Sequence, residues 1–195
     1  MTMAKRHIFG LFALVALMQT GILGFIVYNR LHLLRTGREI VLPVIPIDPR
    51  DIFRGDYVRL GYPISSFDYA ISKEKPMPAG LRYGGPVYVL IKPEGDVPWK
   101  VVGLSADYPK DVSADAAVLK GRITNLYVAE DAGTSRVAIN FGIESFFVPE
   151  GTGKPLEEQV RQHKIETVIA LGADGTAAIK GLVIDGERHL DPPLF

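Results

Sequence analysis

The chain has no cysteine among its 195 residues, only four histidines and a single tryptophan. Without cysteine there is no disulfide-stapled mini-domain and no thiol nucleophile, although the absence fits a reducing or an oxidising compartment equally. The histidines stand at positions 7, 32, 163 and 189, with no H-E-x-x-H or clustered pattern, so histidine-based metal catalysis lacks its ligands. An excess of charge is missing too: 22 basic side chains face 22 acidic ones. Nor is there a linker long enough for two domains, or the alternation of strands with long helices that builds a parallel sheet. What is plentiful is apolar: 47% hydrophobic residues and a mean hydropathy of +0.15. Such a chain buries a core and is neither disordered nor collagen-like.

The neutral total conceals two unlike parts. Residues 1–40 carry five basic groups and one acidic group, a balance of +4, so the remainder carries −4. That acidic body without a basic stripe argues against nucleic acid as a partner. Residues 8–28 contain no charge at all, and residues 11–18 are apolar on every side. As a helix rising about 1.5 Å per residue they reach roughly 30 Å, the hydrocarbon thickness of a bilayer. A cleaved signal peptide has a shorter apolar stretch ending in small residues, whereas this run continues through Ile22, Leu23, Phe25, Ile26 and Val27. The division expected is a basic stub over 1–7, a transmembrane anchor over 8–28, a basic juxtamembrane segment over 29–39 ending its helix near Gly37, and a β-rich domain over 40–195. Lys5 and Arg6 on one flank nearly balance Arg30, Arg35 and Arg38 on the other. Large domains translocate largely regardless of such charges, and the arrangement reads as an uncleaved signal anchor with its β domain outside.

The body shows the period-two pattern of strands. Val58, Leu60 and Tyr62 alternate with Tyr57, Arg59 and Gly61. Three hairpins are expected, pairing residues 87–92 with 99–104, 118–128 with 136–143, and 165–171 with 176–184, each about a turn-forming loop. Asp185-Gly186 then turns the chain again. Pro43 and Pro46 confine residues 40–47 to an edge or an irregular strand. Only residues 154–163 have helical spacing, and residues 72–85 form the longest loop. The class predicted is mainly β: one N-terminal transmembrane helix followed by a compact antiparallel barrel or sandwich with one short helix. The aromatics Tyr57, Tyr62, Phe67, Tyr69, Tyr83, Tyr88, Trp99, Tyr108 and Tyr127 are expected to fill a layer of that core rather than form a sugar platform.

Residues 46–62 read Pro-Ile-Asp-Pro-Arg-Asp-Ile-Phe-Arg-Gly-Asp-Tyr-Val-Arg-Leu-Gly-Tyr. Asp48-Pro49 starts a turn, Asp51 can cap a single helical turn, Gly55 can end it and Tyr57 opens a strand. The stretch resembles the GDYXXLXY family, matching G-D-Y-x-x-L-x-Y with Gly55, Asp56, Tyr57, Leu60 and Tyr62. A second stretch over residues 141–151, containing Gly142, Glu144, Pro149 and Gly151, is similar to that family's later block, though Ser145 replaces a bulkier polar or basic residue. The resemblance implies a bacterial membrane-anchored protein of uncharacterised function, associated with a polytopic membrane protein.

The charged cluster Asp48, Arg50, Asp51, Arg54 and Asp56, joined by Glu144 and Glu150, offers two chemistries. It can bind a hard cation or an anionic group, or its aspartates can serve turns while its arginines pair with them. The interleaved signs favour the structural version, with Asp48, Pro49, Arg54, Gly55, Asp56, Leu60 and Tyr62 as parts of a corner. Glu144, with apolar neighbours, then needs a partner such as Arg50 or Arg54. Gly151-Thr-Gly-Lys154 imitates a phosphate loop, but Val148 and Pro155 stand where it requires glycine and Ser or Thr. No catalytic residue, metal ligand or cofactor is assigned. The function expected is a partner-binding or assembly module at the outer face of a bacterial inner membrane, with the bilayer and a polytopic membrane protein as partners. Arg50, Tyr57, Arg59 and Glu150 are its candidate recognition residues. The alternatives are a membrane-tethered Ser-Lys hydrolase, using Ser65 or Ser66 with Lys73 or Lys75, and an envelope glycan- or lipid-binding domain.

Overall fold

The structure, a computed structural model, describes residues 2–45, 57–70, 77–95, 97–128, 134–147 and 165–190. It opens with a 35-residue helix, α1 (Thr2–Thr36). Thirteen large apolar side chains of this helix, from Phe9 to Tyr28, are between 44% and 75% exposed. Leaving one such side chain in water forfeits about 1.5–3 kcal/mol of burial, so a helix this long and this bare is consistent with an apolar surrounding. The span Phe9–Thr36 has the length and hydropathy of a membrane crossing, which is consistent with a single-pass anchor.

Among the described residues eleven strands follow: β1 (Arg38–Pro43), β2 (Tyr57–Arg59), β3 (Ser66–Ala70), β4 (Pro86–Glu94), β5 (Val97–Ser105), β6 (Ala117–Val128), β7 (Thr134–Asn140), β8 (Ser145–Phe147), β9 (Ile165–Leu171), β10 (Ala177–Ile184) and β11 (Glu187–Leu190). All pairings among them are antiparallel. They form a four-stranded sheet in the order β1-β9-β10-β11, a five-stranded sheet in the order β3-β7-β6-β4-β5 and a ribbon of β2 with β8. The class read from the sequence is the class observed, with one sheet curled like half a barrel. Bulges between Leu90 and Ile91, Lys92 and Glu94, and Ile123 and Asn125 bend the five-stranded sheet.

All three expected hairpins form, because each joins alternating segments through a short polar loop. The second is shorter than expected, since residues 141–143 leave β7 for the turn described below. β1 lies at a sheet edge, where its terminal Pro43 costs no ladder bond. The segment expected to be helical, residues 154–163, lies outside the described residues. So does the start of the long loop, while its end is stitched to β6 by Gly84 N–H to the Ile123 carbonyl and by Arg122 Nη1 to the Gly84 carbonyl, 2.8 and 2.6 Å.

The sheets share one core, in which Leu42, Val58, Leu60, Val89, Ile91, Leu119, Ile139, Ile169 and Leu182 are buried together. Trp99 Nε1 donates to the Val41 carbonyl at 2.8 Å and ties β5 to β1 across the corner of the two large sheets. The aromatic layer expected from the sequence is corrected. Tyr62 and Tyr69 are buried and Phe67 and Trp99 pack against the core, but Tyr83 is 76% exposed and Tyr108 and Tyr127 also face outward. A strand has two faces: Tyr88 alternates with the buried Val87 and Val89, and its ring meets Tyr108 edge-on at 5.5 Å outside the core.

β9 is buried along nearly its whole length because both of its faces are covered. One faces the core and the other receives the end of α1. There the Gly37 N–H donates to the Leu33 carbonyl at 2.8 Å, and Arg30 Nη1 reaches the Ala177 carbonyl at 3.2 Å. A Cβ on Gly37 would stand 2.7 Å from the Leu33 oxygen and 3.0 Å from the Ala170 Cβ. Glycine is therefore required here for close approach, and the helix passes into β1 one residue later.

Gly37→Ala should lower stability by about 1–3 kcal/mol through this overpacking, read as a drop in melting temperature of the full-length protein in mild detergent. An unchanged melt would refute the tight junction. On the sheet face, the Glu39 carboxylate joins Lys180 at 2.6 Å and Arg188 at 3.4 Å, spanning β1, β10 and β11. The Lys180 hydrogen bond, then its charge, with Arg188 adding, holds the Glu39 carboxyl below its ordinary value near 4.5. A depressed folded pKa gives stability that is present above the unfolded value and is lost as pH falls through the folded one. Acid denaturation of Glu39→Gln should accordingly show a shallower loss of stability below that ordinary value than the wild type; identical slopes would exclude the contribution.

Candidate functional site

The signature residues after position 56 form the junction of all three sheets. Alternation puts Val58, Leu60 and Tyr62 inside, each no more than 1% exposed, and leaves Arg59 outside. β2 then pairs with the later block: Tyr57 stands opposite Phe147, Val58 opposite Phe146 and Arg59 opposite Ser145. Leu60 N–H extends the ladder to the Glu144 carbonyl at 2.9 Å. Gly61 accepts from Ile45 N–H at 2.9 Å, joining the ribbon to the extension of β1. A 3-10 turn, Pro63–Ser65, closed by Ser65 N–H to the Tyr62 carbonyl, then delivers the chain into β3.

Tyr62 is the centre of this corner. Its hydroxyl donates to the Ile143 carbonyl at 2.8 Å and lies 3.3 Å from the Thr167 hydroxyl, within hydrogen-bond distance. Burial pushes its pKa well up; the nearby Thr167 bond opposes the shift and the negative charge of Glu144 adds to it. The phenol consequently stays protonated and works as a buried donor, not as an acid or base. In the later block Gly142 takes a φ of +77°, a conformation that Cβ-bearing residues disfavour. The turn this creates points two backbone donors at Glu144: Phe141 N–H to Oε1 at 2.6 Å and Gly142 N–H to Oε2 at 2.9 Å. Glu144 is half-buried, and the apolar neighbours that suggested an arginine partner are accommodated by these peptide donors.

Leu60, Tyr62, Gly142 and Glu144 are thus brought together from positions about eighty residues apart. Arg59 projects from the outer face of the ribbon, and Tyr57 opens β2. Asp48, Pro49, Arg50, Asp51, Arg54, Gly55, Asp56, Pro149, Glu150 and Gly151 lie outside the described residues, as do Lys73 and Lys75. Ser66 is exposed, while the Ser65 hydroxyl is buried with no hydrogen-bond partner among the described residues. Among those residues no group of three or more His, Asp or Glu side chains could hold a metal ion. Sequence reasoning missed Thr167, although a lone hydroxyl in the apolar run Ile-Glu-Thr-Val-Ile-Ala-Leu was a signal that a polar group inside the core awaited it. It also missed a cavity of about 840 Å³ between the end of α1 and the body.

These features define a class: a β body in antiparallel sheets, carried on one N-terminal apolar helix. The family model described as GDYXXLXY protein matches residues 19–182, and the chain belongs to that family. The match takes in half of the apolar run, the signature and the later block that pairs with it. Neither a search of curated proteins nor a search of solved structures finds a match to this chain.

Tyr62→Phe leaves the Ile143 carbonyl buried without its donor and should cost about 1–3 kcal/mol of stability, measured by urea unfolding. A variant as stable as the wild type would remove Tyr62 from the centre of the corner.

Proposed function

We propose that the protein is a membrane-anchored module whose β body binds or helps assemble a partner at the membrane surface. The observation that carries this reading is the unbroken passage from a bare apolar helix into β1, with only Gly37 between them. A helix so joined cannot swing freely, so the body is held at a set height and attitude beside the bilayer rather than trailing on a flexible tether. A rigid mount favours a module that must meet another membrane-held protein in one orientation.

The polar atoms of the signature support the same reading. The Tyr62 hydroxyl, both Glu144 oxygens and the peptide groups of residues 60 and 61 are spent on holding the corner together. Arg59 is the charged signature-segment side chain left to meet something else among the described residues, and arginine is enriched at the centres of protein interfaces. The partners proposed are the lipid bilayer and a polytopic membrane protein, with the body on the outer, periplasmic side of a bacterial inner membrane.

Alkaline carbonate washing should leave the full-length protein in the membrane pellet. Affinity purification in mild detergent should then recover a membrane-protein partner. Replacing Arg59 or Arg50 with alanine should reduce that recovery by about tenfold or more, the effect of losing an interface anchor. Recovery of no partner, or equal recovery by both variants, would count against the module.

A further inference from the structure

The cavity at the foot of α1 has walls from three places. Asn29, His32, Leu33 and Thr36 line it from the helix, and their spacing of i, i+3, i+4 and i+7 makes them a single stripe. The turn between β9 and β10 supplies Asp174, and the loop between β5 and β6 supplies Tyr108. Arg38, the first residue of β1, completes the lining.

Its height beside the membrane follows from the helix. The uncharged run ends at Tyr28, and the lining residues Asn29 to Thr36 climb to about 12 Å beyond that boundary at 1.5 Å per residue. The polar headgroup zone is roughly 5–8 Å deep on each side of the hydrocarbon. Asn29, His32 and Leu33 thus stand within the depth of the headgroups and Thr36 just beyond it.

Its charges come in both signs. One nitrogen of the Arg38 guanidinium donates to the Ala116 carbonyl at 2.9 Å, and the side chain makes no ion pair among the described residues. That leaves further donors in a planar fork that suits phosphate oxygens. His32 lines the same cavity, its ring stacked on Tyr28 at 6.0 Å between centroids. Asp174 carries the opposite charge. Its oxygens accept from the Thr176 N–H at 3.0 Å and hydroxyl at 2.7 Å, which fixes the carboxylate in a turn and keeps a lone pair on each oxygen for another donor. The Thr176 hydroxyl foremost, with the Thr176 N–H and the charge of Lys120 adding against burial, holds the carboxyl below its ordinary value, so it is ionised at neutral pH.

We propose that this cavity is a phospholipid headgroup site selective for a zwitterion with a primary ammonium: the phosphate bound by Arg38 with His32 beside it, the ammonium by Asp174. A headgroup of this kind presents both charges a few bonds apart, and the cavity is lined by groups of both signs. A glycerol headgroup lacks the cation, and a choline headgroup has no N–H to donate to the carboxylate. The site would fix the rotation of the body about the membrane normal through a bound lipid. The inference rests on the reading of α1 as an anchor.

The test is native mass spectrometry of the full-length protein in mild detergent, titrated with phosphatidylethanolamine, phosphatidylcholine, phosphatidylglycerol or inorganic phosphate. One phosphatidylethanolamine should bind per chain in preference to the other lipids. Arg38→Ala should weaken it by about tenfold or more, as loss of a charge-assisted bond does. Asp174→Asn keeps the turn to Thr176 and should abolish the preference for ethanolamine over choline while retaining phosphate-dependent binding. Melting curves establish that both variants are folded, and if Arg38→Ala is not, the headgroup preference of Asp174→Asn decides alone. Equal binding by wild type and variants, loss of the preference in neither, or displacement of lipid by inorganic phosphate would overturn the proposal. Carbonate washing separates the two readings: a protein released from membranes loses both anchor and headgroup site, whereas one retained but indifferent to Arg38 and Asp174 loses only the site.

Discussion

The buried hydroxyl of Tyr62 is the point on which the body depends. A phenol placed inside an apolar core costs free energy until its donor is satisfied, and here the Ile143 carbonyl satisfies it. That carbonyl is available because Gly142 turns the chain and Glu144 captures the peptide donors on either side of the bend. Through one bond, the end of the first sheet's extension, the β2–β8 ribbon and β9 are held in register around a shared core. The arrangement explains why a motif and a block far downstream belong together: they are the two strands of one ribbon and the two halves of one polar network.

The second dependence is at the opposite end of the body. Gly37 lets α1 settle on β9, and β9 in turn offers the buried, apolar Val168 and Ala170 on that face. The apolar helix serves as a covering layer for the body, which couples its position to the geometry of the four-stranded sheet. The cavity arises from that coupling, since a helix leaning on a sheet by its last turns leaves a wedge beside them. The position of the helix and the shape of the body are therefore one structural problem.

Local features were legible without coordinates because they depend on neighbours in the chain. The apolar run needs only its length; the three hairpins need alternation and a turn between their arms; the edge position of β1 follows from Pro43. The alternation of Val58, Leu60 and Tyr62 likewise stated which side chains face inward. Alternation does not say which of two faces is covered, and for that reason Tyr83, Tyr108 and Tyr127, grouped with the core by composition, stand in solvent. The apolar surroundings of Glu144 showed that it required a partner. They did not show that backbone N–H groups two and three residues earlier would provide it.

The sequence by itself determined the class of this protein: one lipid-length helix, an antiparallel body and the signature that places the chain in its family. Periodicity and run length act over a few residues, so they survive reading in one dimension. Only the tertiary structure decided that the signature closes on residues 141–147, that Thr167 meets Tyr62 and that Arg38, His32 and Asp174 share one cavity. Those contacts join positions about eighty to one hundred and forty residues apart. They are selected by the packing of whole sheets and by the satisfaction of buried polar groups, and neither leaves a periodic trace along the chain.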